Sequence, residues 1–195
     1  MKLRESGMPE EAYWETLFDL PLILDRLGID PRLKDVVEMG CGYGTFTAPV
    51  ARRISGTVTT FDIDEGMIER TRQRAAAAGV WNVLYKVGDV FADGFRGEAG
   101  SKDACLLFNI LHCEEPVRLL AEAARVVRPG GAVLVINWRY DPATPRGPNL
   151  EIRPRPEQIV GWAKKTGMLE AEGPVIDLPP WHYGLRFHRS LVPAR

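Results

Sequence analysis

The chain of 195 residues is poor in cysteine, in histidine and in uninterrupted apolar sequence. Its three cysteines, Cys41, Cys105 and Cys113, are an odd set without a CxxC pair. That excludes a disulfide framework and a structural zinc site, and it sets a reducing, cytoplasmic compartment with no metal as the expectation. The longest apolar runs, such as 104–111, fall far short of the roughly 18 residues that span a bilayer. The leading MKLRESGMPEEAYWETLFDL is too polar for a signal sequence, so no membrane insertion is expected. Charge of one sign is also missing: 25 Lys and Arg stand against 26 Asp and Glu, a net charge of -1, which gives no global field to draw in nucleic acid. No period of about 20 to 50 residues recurs, which excludes a solenoid. What is there is 45% hydrophobic and 26% charged, enough for one sizeable core and a single domain over 1–195.

Apolar periodicity predicts a leading helix over 10–27, with Tyr13, Leu17, Leu20 and Leu24 on one stripe and Gly28 as its stop, forming a flap over 1–30. Strands and helices then alternate. Strands are expected over 36–39, 58–62, 82–87, 103–109 and 132–138, and helices over 45–54 and 65–78. A further helix opens at Pro116, carries Val117, Leu120, Ala121, Ala124 and Val127 on one face, and is expected to end at Pro129-Gly130-Gly131. Such alternation means a parallel sheet covered on both faces. A last helix over 156–167 precedes two strands, 168–177 and 183–191, joined by five residues, too few for a parallel crossover. The predicted fold is therefore α/β, a doubly wound seven-stranded mixed sheet whose core spans 31–195 and ends in an antiparallel C-terminal hairpin. The proline-rich stretch 140–155 is expected to be an ordered loop bordering the site.

Glu38-Met39-Gly40-Cys41-Gly42-Tyr43-Gly44 closes the first strand and opens a helix, where an open parallel sheet binds its ligand. Bare glycines let a ligand lie against peptide groups beside a helix N-terminus. By itself the triplet reads equally as a tight turn. Its GxGxG spacing, however, differs from the GxGxxG of nicotinamide and flavin sites, and an acid, Glu38, stands two residues before it. The second strand ends in Asp62, 18 residues after Gly44, where a carboxylate can accept hydrogen bonds from two ribose hydroxyls. The third ends in Gly88-Asp89-Val90, with Asp89 placed to accept from an adenine amine, and the fourth ends in Asn109. Together these residues bracket a nucleoside.

The stretches VVEMGCGYGTFT, VTTFDIDEGMIERTRQRA, GDVF and DACLLFNILHCEEPVRLLAEAARVVRPGGAVLVI, with the final hairpin, resemble the class I S-adenosylmethionine-dependent methyltransferases. Within them the chain resembles the small-molecule branch of the ubiquinone/menaquinone-biosynthesis (methyltransferase type 11/25) kind. The likeness covers roughly 33–192 and implies a Rossmann-like core with S-adenosylmethionine as cofactor. It implies that Glu38 and the turn from Gly40 through Cys41 and Gly42 to Gly44 hold the methionine portion. It likewise implies that Asp62 meets the ribose, Ile63 packs on the adenine, Asp89 beside Val90 meets its amine, and Asn109 lines the wall near the sulfonium. Asp64 departs from the Ser often found there, so either Asp62 or Asp64 meets the ribose; Asp62 is favoured because it ends the apolar strand.

Methyl transfer from a sulfonium is an in-line displacement, so alignment is the protein's main work, and a general base is needed only if the acceptor must lose a proton. His112, after the fourth strand, and His182, in the hairpin turn, are the candidate bases, although a structural role is the more ordinary reading of each. Tyr13, Trp14, Trp138 and Tyr183 are candidates to close over a flat or aromatic acceptor, although aromatics on such elements are also ordinary core. Arg139, Arg146, Arg153 and Arg155 make the long loop locally basic. Nucleic-acid methylation is disfavoured, because Asn109-Ile110-Leu111-His112 is not an Asn/Asp-Pro-Pro-aromatic motif and no cysteine stands next to a proline. The alternatives are a catalytically silent regulatory protein that binds S-adenosylmethionine or S-adenosylhomocysteine, and an NAD(P)-dependent oxidoreductase.

Overall fold

The computed structural model describes residues 8–191. The first seven residues of the expected flap, and Val192 at the end of the resemblance, lie outside the described residues. In chain order the elements are α1 (Glu11–Glu15), α2 (Leu20–Arg26), β1 (Asp35–Met39), α3 (Thr47–Arg53), β2 (Thr57–Asp62), α4 (Glu65–Ala77), β3 (Val83–Val87) and α5 (Val90–Asp93). They continue with β4 (Lys102–Phe108), α6 (Pro116–Val126), β5 (Val127–Trp138), a single 3-10 turn (Leu150–Ile152), α7 (Pro156–Lys165), β6 (Leu169–Ala171), β7 (Ile176–Leu178) and β8 (His182–Arg189).

Eight strands form one sheet in the order β3-β2-β1-β4-β5-β8-β6, with β7 also paired to β8. β1 to β5 run parallel, and β8 runs antiparallel to β5, β6 and β7. Side chains alternate along a strand, so the two neighbours Val36 and Val37, both buried, belong to different cores. Val37, Cys105, Leu107 and Val135 pack with α6 and α7. Val36, Leu106, Leu134 and Ile136 pack with α2 and α3. Each such aliphatic side chain contributes roughly 1.5–3 kcal/mol on burial, so the central strands carry both layers.

The expected fold class and its antiparallel C-terminal hairpin are present, with four corrections in detail. The predicted helix over 10–27 is two helices. Asp19 caps the second through its Oδ1, which accepts the Leu22 amide at 3.2 Å, and Pro21 sits in that first turn, the one part of a helix where a missing N–H costs nothing. The predicted strand over 168–177 is broken by Gly173 at φ +74 into β6 and β7, which makes eight strands rather than seven. Helix α6 ends at Val126, before Pro129-Gly130-Gly131, and those residues form a bulged stretch of β5 between the pairs Lys102↔Val127 and Ala104↔Ala132. Its buried face is Leu119, Leu120, Ala123, Ala124 and Val126, with Val117 and Ala121 only half-buried. Helix α5 was not expected from the sequence; it is one turn long and begins where Asp89 caps it.

The winding of the sheet reverses between β1 and β4, which are hydrogen-bonded neighbours. The crevice outside their carboxyl ends is the place a doubly wound sheet leaves for a ligand.

Candidate functional site

A cleft of about 490 Å³ opens at this switch point, within the range of small-molecule and cofactor sites. Its floor is the glycine turn. Gly40, Gly42 and Gly44 have φ of +77°, +51° and +75°, conformations that glycine alone adopts without strain. The Gly40 and Cys41 amides donate to the Phe61 carbonyl at 2.8 and 3.2 Å, which ties the turn to the end of β2.

Glu38 is buried at the back of the cleft, where its Oε2 accepts from the Thr47 hydroxyl at 2.6 Å and the Thr60 hydroxyl at 2.8 Å. Burial pushes its carboxyl up to about 7; the two hydroxyls oppose the shift and the charge of Asp62 adds to it. Asp62 faces the turn: its Oδ2 accepts the Gly42 amide and its Oδ1 the Asp64 amide, both at 3.0 Å. Asp64 is committed elsewhere, capping α4 by accepting the Gly66 amide at 2.7 Å, although it also lines the cleft. Asp89 caps α5, accepting from the Phe91 amide at 2.8 Å. Across from the turn, Asn109 stands at φ +55° with both side-chain amide atoms buried and unpartnered, and the Thr45 hydroxyl is in the same state. Unmade hydrogen bonds are costly in a finished core, and orphans lining a cleft fit a polar ligand between them.

The structure brings Glu38, Gly40, Cys41, Gly42, Asp62, Ile63, Asp89, Val90 and Asn109 to this one cleft. Gly44 is not among the residues that line the cleft; a Cβ there would meet Thr71 at 3.0 Å, so the turn packs closely on α4 at this point. Cys41 is buried with its Sγ 3.7 Å from Asp62 Oδ2, and burial pushes its thiol up. Burial also holds the Cys113 thiol up at about 11, which leaves it unreactive near neutrality.

Trp14, Phe46, Phe108 and Trp138 also line the cleft, with Phe46 and Phe108 centroids 5.0 Å apart and Trp14 and Trp138 6.2 Å apart. His112 lines the cleft and also an adjoining groove of about 720 Å³ between the start of α6, the 3-10 turn and α7. Three predicted residues lie elsewhere. His182 is fully buried behind Trp138, stacked on Phe18 at 4.5 Å, with neither ring nitrogen hydrogen-bonded. Burial, reinforced by the charges of Arg139 and Arg153, lowers its pKa to about 3, so it is a neutral core ring outside the cleft. Tyr183 is buried and donates to the Pro154 carbonyl at 2.7 Å. Tyr13 is exposed on the surface, 6.0 Å beneath the Arg146 guanidinium. Thr45, Phe46 and Phe108 were missed, because apolar periodicity marks a residue as buried without saying which buried residues edge a cavity.

The loop arginines are turned to the protein. Arg139 pairs with Asp177, Arg155 stacks 3.7 Å over Tyr140, and Arg153 is buried among carbonyls. No group of three or more His, Cys, Asp or Glu is placed to hold a metal among the described residues, and no described helix is long and apolar enough to cross a membrane.

Residues 36–131 match the family model described as "Methyltransferase domain". The chain is 32% identical over 159 residues to an uncharacterized 37.1 kDa protein in transposon TN4556 of Streptomyces fradiae, covering 76% of this chain and 45% of that protein. It is 32% identical over 145 residues to a ubiquinone biosynthesis O-methyltransferase of Neisseria meningitidis serogroup C, covering 72% and 60%. The chain thus spans about half the length of these relatives. Its fold is similar to that of a SAM dependent methyltransferase from Aquifex aeolicus, with a TM-score of 0.79 at 20% identity over 91% of this chain and 93% of that one.

Proposed function

Residues 36–131 belong to the methyltransferase-domain family, and from that premise we propose that the chain moves a methyl group from S-adenosylmethionine to a small, flat or aromatic acceptor. The observation that carries the reading is the arrangement around one cleft of a buried carboxyl (Glu38), a glycine turn, a strand-end carboxylate (Asp62) and an unpartnered amide (Asn109), facing an aromatic wall. The same arrangement supports S-adenosylmethionine over a nicotinamide cofactor, given the GxGxG spacing.

Bound there, S-adenosylmethionine supplies a methyl on a cationic sulfur that an in-line nucleophile can displace. The chain's own groups do the rest. Glu38, once ionised, holds an ammonium; Asp62 accepts from ribose hydroxyls; Asp89 accepts from the adenine amine, with Ile63 and Val90 against the ring. Asn109 offers its amide to the middle of the ligand. Trp14, Phe46, Phe108 and Trp138 exclude water and hold the acceptor in line, and such alignment can supply about 7–11 kcal/mol of the barrier. His112, at the edge of the cleft, takes a proton when the acceptor is a hydroxyl. The acceptor class leaves no need for nucleic acid as partner.

The test is incubation of the protein with methyl-labelled S-adenosylmethionine and a panel of small phenols and quinols. Label in an extracted product supports the proposal. Tight S-adenosylhomocysteine binding with no label transferred across the panel favours the silent binding protein instead.

A further inference from the structure

Arg153 is only 6% exposed, and no carboxylate is among its hydrogen-bond partners. Its guanidinium donates instead to the Arg139, Asp141, Arg146 and Pro148 carbonyls, at 2.8, 3.3, 3.3 and 2.7 Å, and to the Thr144 hydroxyl. All three nitrogens are used, Nε also donating to Pro148 at 3.2 Å. These five acceptors span 139–148, the stretch that directly follows Trp138, so one side chain gathers the whole loop. Only a planar fork with five N–H groups can do so; a lysine ammonium presents three from a single point.

The gathered loop presses on the cleft. Gly147 sits at φ +109°, and a Cβ there would lie 2.8 Å from Trp138 Cγ and Cδ2 and 3.0 Å from Arg153 Nη2. Gly147 is therefore wedged between the guanidinium and the indole with no room for a methyl. The Trp138 indole lines the cleft, whereas Arg153 does not.

We propose that Arg153 is a positioning residue for the acceptor: by clasping the 139–148 loop it presses Gly147 onto Trp138 and so sets the place of the indole in the acceptor wall. This rests on the methyltransferase reading only in taking the aromatic end of the cleft as the acceptor's side. The clasp acts on the acceptor end alone, because its contacts do not reach the glycine turn, Glu38 or Asp62.

The test uses full-length protein labelled with 5-fluorotryptophan, the Trp138 fluorine resonance being assigned by Trp138→Phe. A cooperative thermal unfolding transition reports that a variant is folded. Arg153→Lys and Arg153→Met remove the fork, and Gly147→Ala attacks the wedge from the other side, so a folding failure in one leaves the others. The neutral flat probe is 2-naphthol, added with S-adenosylhomocysteine. The expected result is a shifted or broadened Trp138 resonance, 2-naphthol affinity weakened about tenfold, and S-adenosylhomocysteine affinity within twofold of wild type. An unchanged Trp138 resonance, or equal losses for both ligands, overturns the proposal, as does a wild-type Trp138 resonance that does not respond to 2-naphthol. If wild type fails to bind S-adenosylhomocysteine, the methyltransferase reading falls, while the Trp138 resonance and the naphthol affinity still decide the clasp.

Discussion

The Asp62 carboxylate and the Gly42 amide are joined across the mouth of the cleft, Oδ2 accepting the N–H at 3.0 Å. Its other oxygen is held by the Asp64 amide at the same distance, so both oxygens are oriented by backbone donors; the Cys41 thiol also donates to Oδ2, and Oδ1 keeps a lone pair for a ligand. The end of β2 and the glycine turn are thereby set relative to each other before anything binds, and pre-set geometry lowers the cost of binding.

An asparagine at this position would turn an NH2 toward one of the two backbone donors. We expect both Asp62→Asn and Asp62→Ala to weaken S-adenosylhomocysteine binding about tenfold or more, in line with the roughly 1.5–3 kcal/mol of a hydrogen bond to a charged group. An affinity for Asp62→Asn equal to wild type, measured by calorimetry, would remove Asp62 from the ribose role.

Glu38 makes binding depend on pH. With its carboxyl at about 7, the fraction ionised rises about tenfold between pH 6 and 8, and only the ionised form attracts an ammonium. S-adenosylhomocysteine affinity should rise by about that factor over the interval, with a proton released near pH 6.5. Glu38→Gln should bind more weakly with a flat profile. A wild-type profile as flat as the variant's sinks this assignment.

Glu38 and His182 pull stability in opposite directions. Glu38 is raised above its ordinary 4.5, so the stability it gives is full below 4.5 and is lost as pH rises through about 7, amounting to about 3 kcal/mol. His182 is lowered from 6.5 to about 3, so its contribution is full above 6.5 and is lost as pH falls, about 3 kcal/mol of it by pH 4.5. Between pH 7 and 4.5 the two largely offset. Urea unfolding should therefore show His182→Phe gaining stability on acidification and Glu38→Gln losing it; the same slope in both variants contradicts this.

Leu106 is fully buried in the core layer beneath α2 and α3. Leu106→Ala should cost about 2–5 kcal/mol, a fall in melting temperature of roughly 5–15 °C for a domain of this size. A loss under 1 kcal/mol would mean that the layer repacks freely.

Much of this was legible in the residues. β1, β4 and β5 carry buried apolar runs, and the Glu38 to Gly44 turn, Asp62, Asp89 and Asn109 stand at strand ends, so local pattern and turn chemistry place them without knowledge of distant contacts. Where the sequence misled, the cause was non-local or a matter of a single residue. Pro21 split a helix whose apolar stripe runs on unbroken. Gly173 cut a strand in two. His182 opens β8 instead of lying in the hairpin turn, and Phe18, from the far end of the chain, stacks over it and turns a candidate base into a core ring. The Arg153 clasp had no sequence signal at all, since its acceptors are backbone carbonyls.

The central claim is that the cleft takes an adenosyl sulfur ligand. Calorimetric titration of the wild-type chain with S-adenosylmethionine, S-adenosylhomocysteine and NADH tests it most directly. The account predicts binding of the two adenosyl ligands and none of NADH. Binding of NADH alone would contradict it and assign the glycine turn to a redox enzyme.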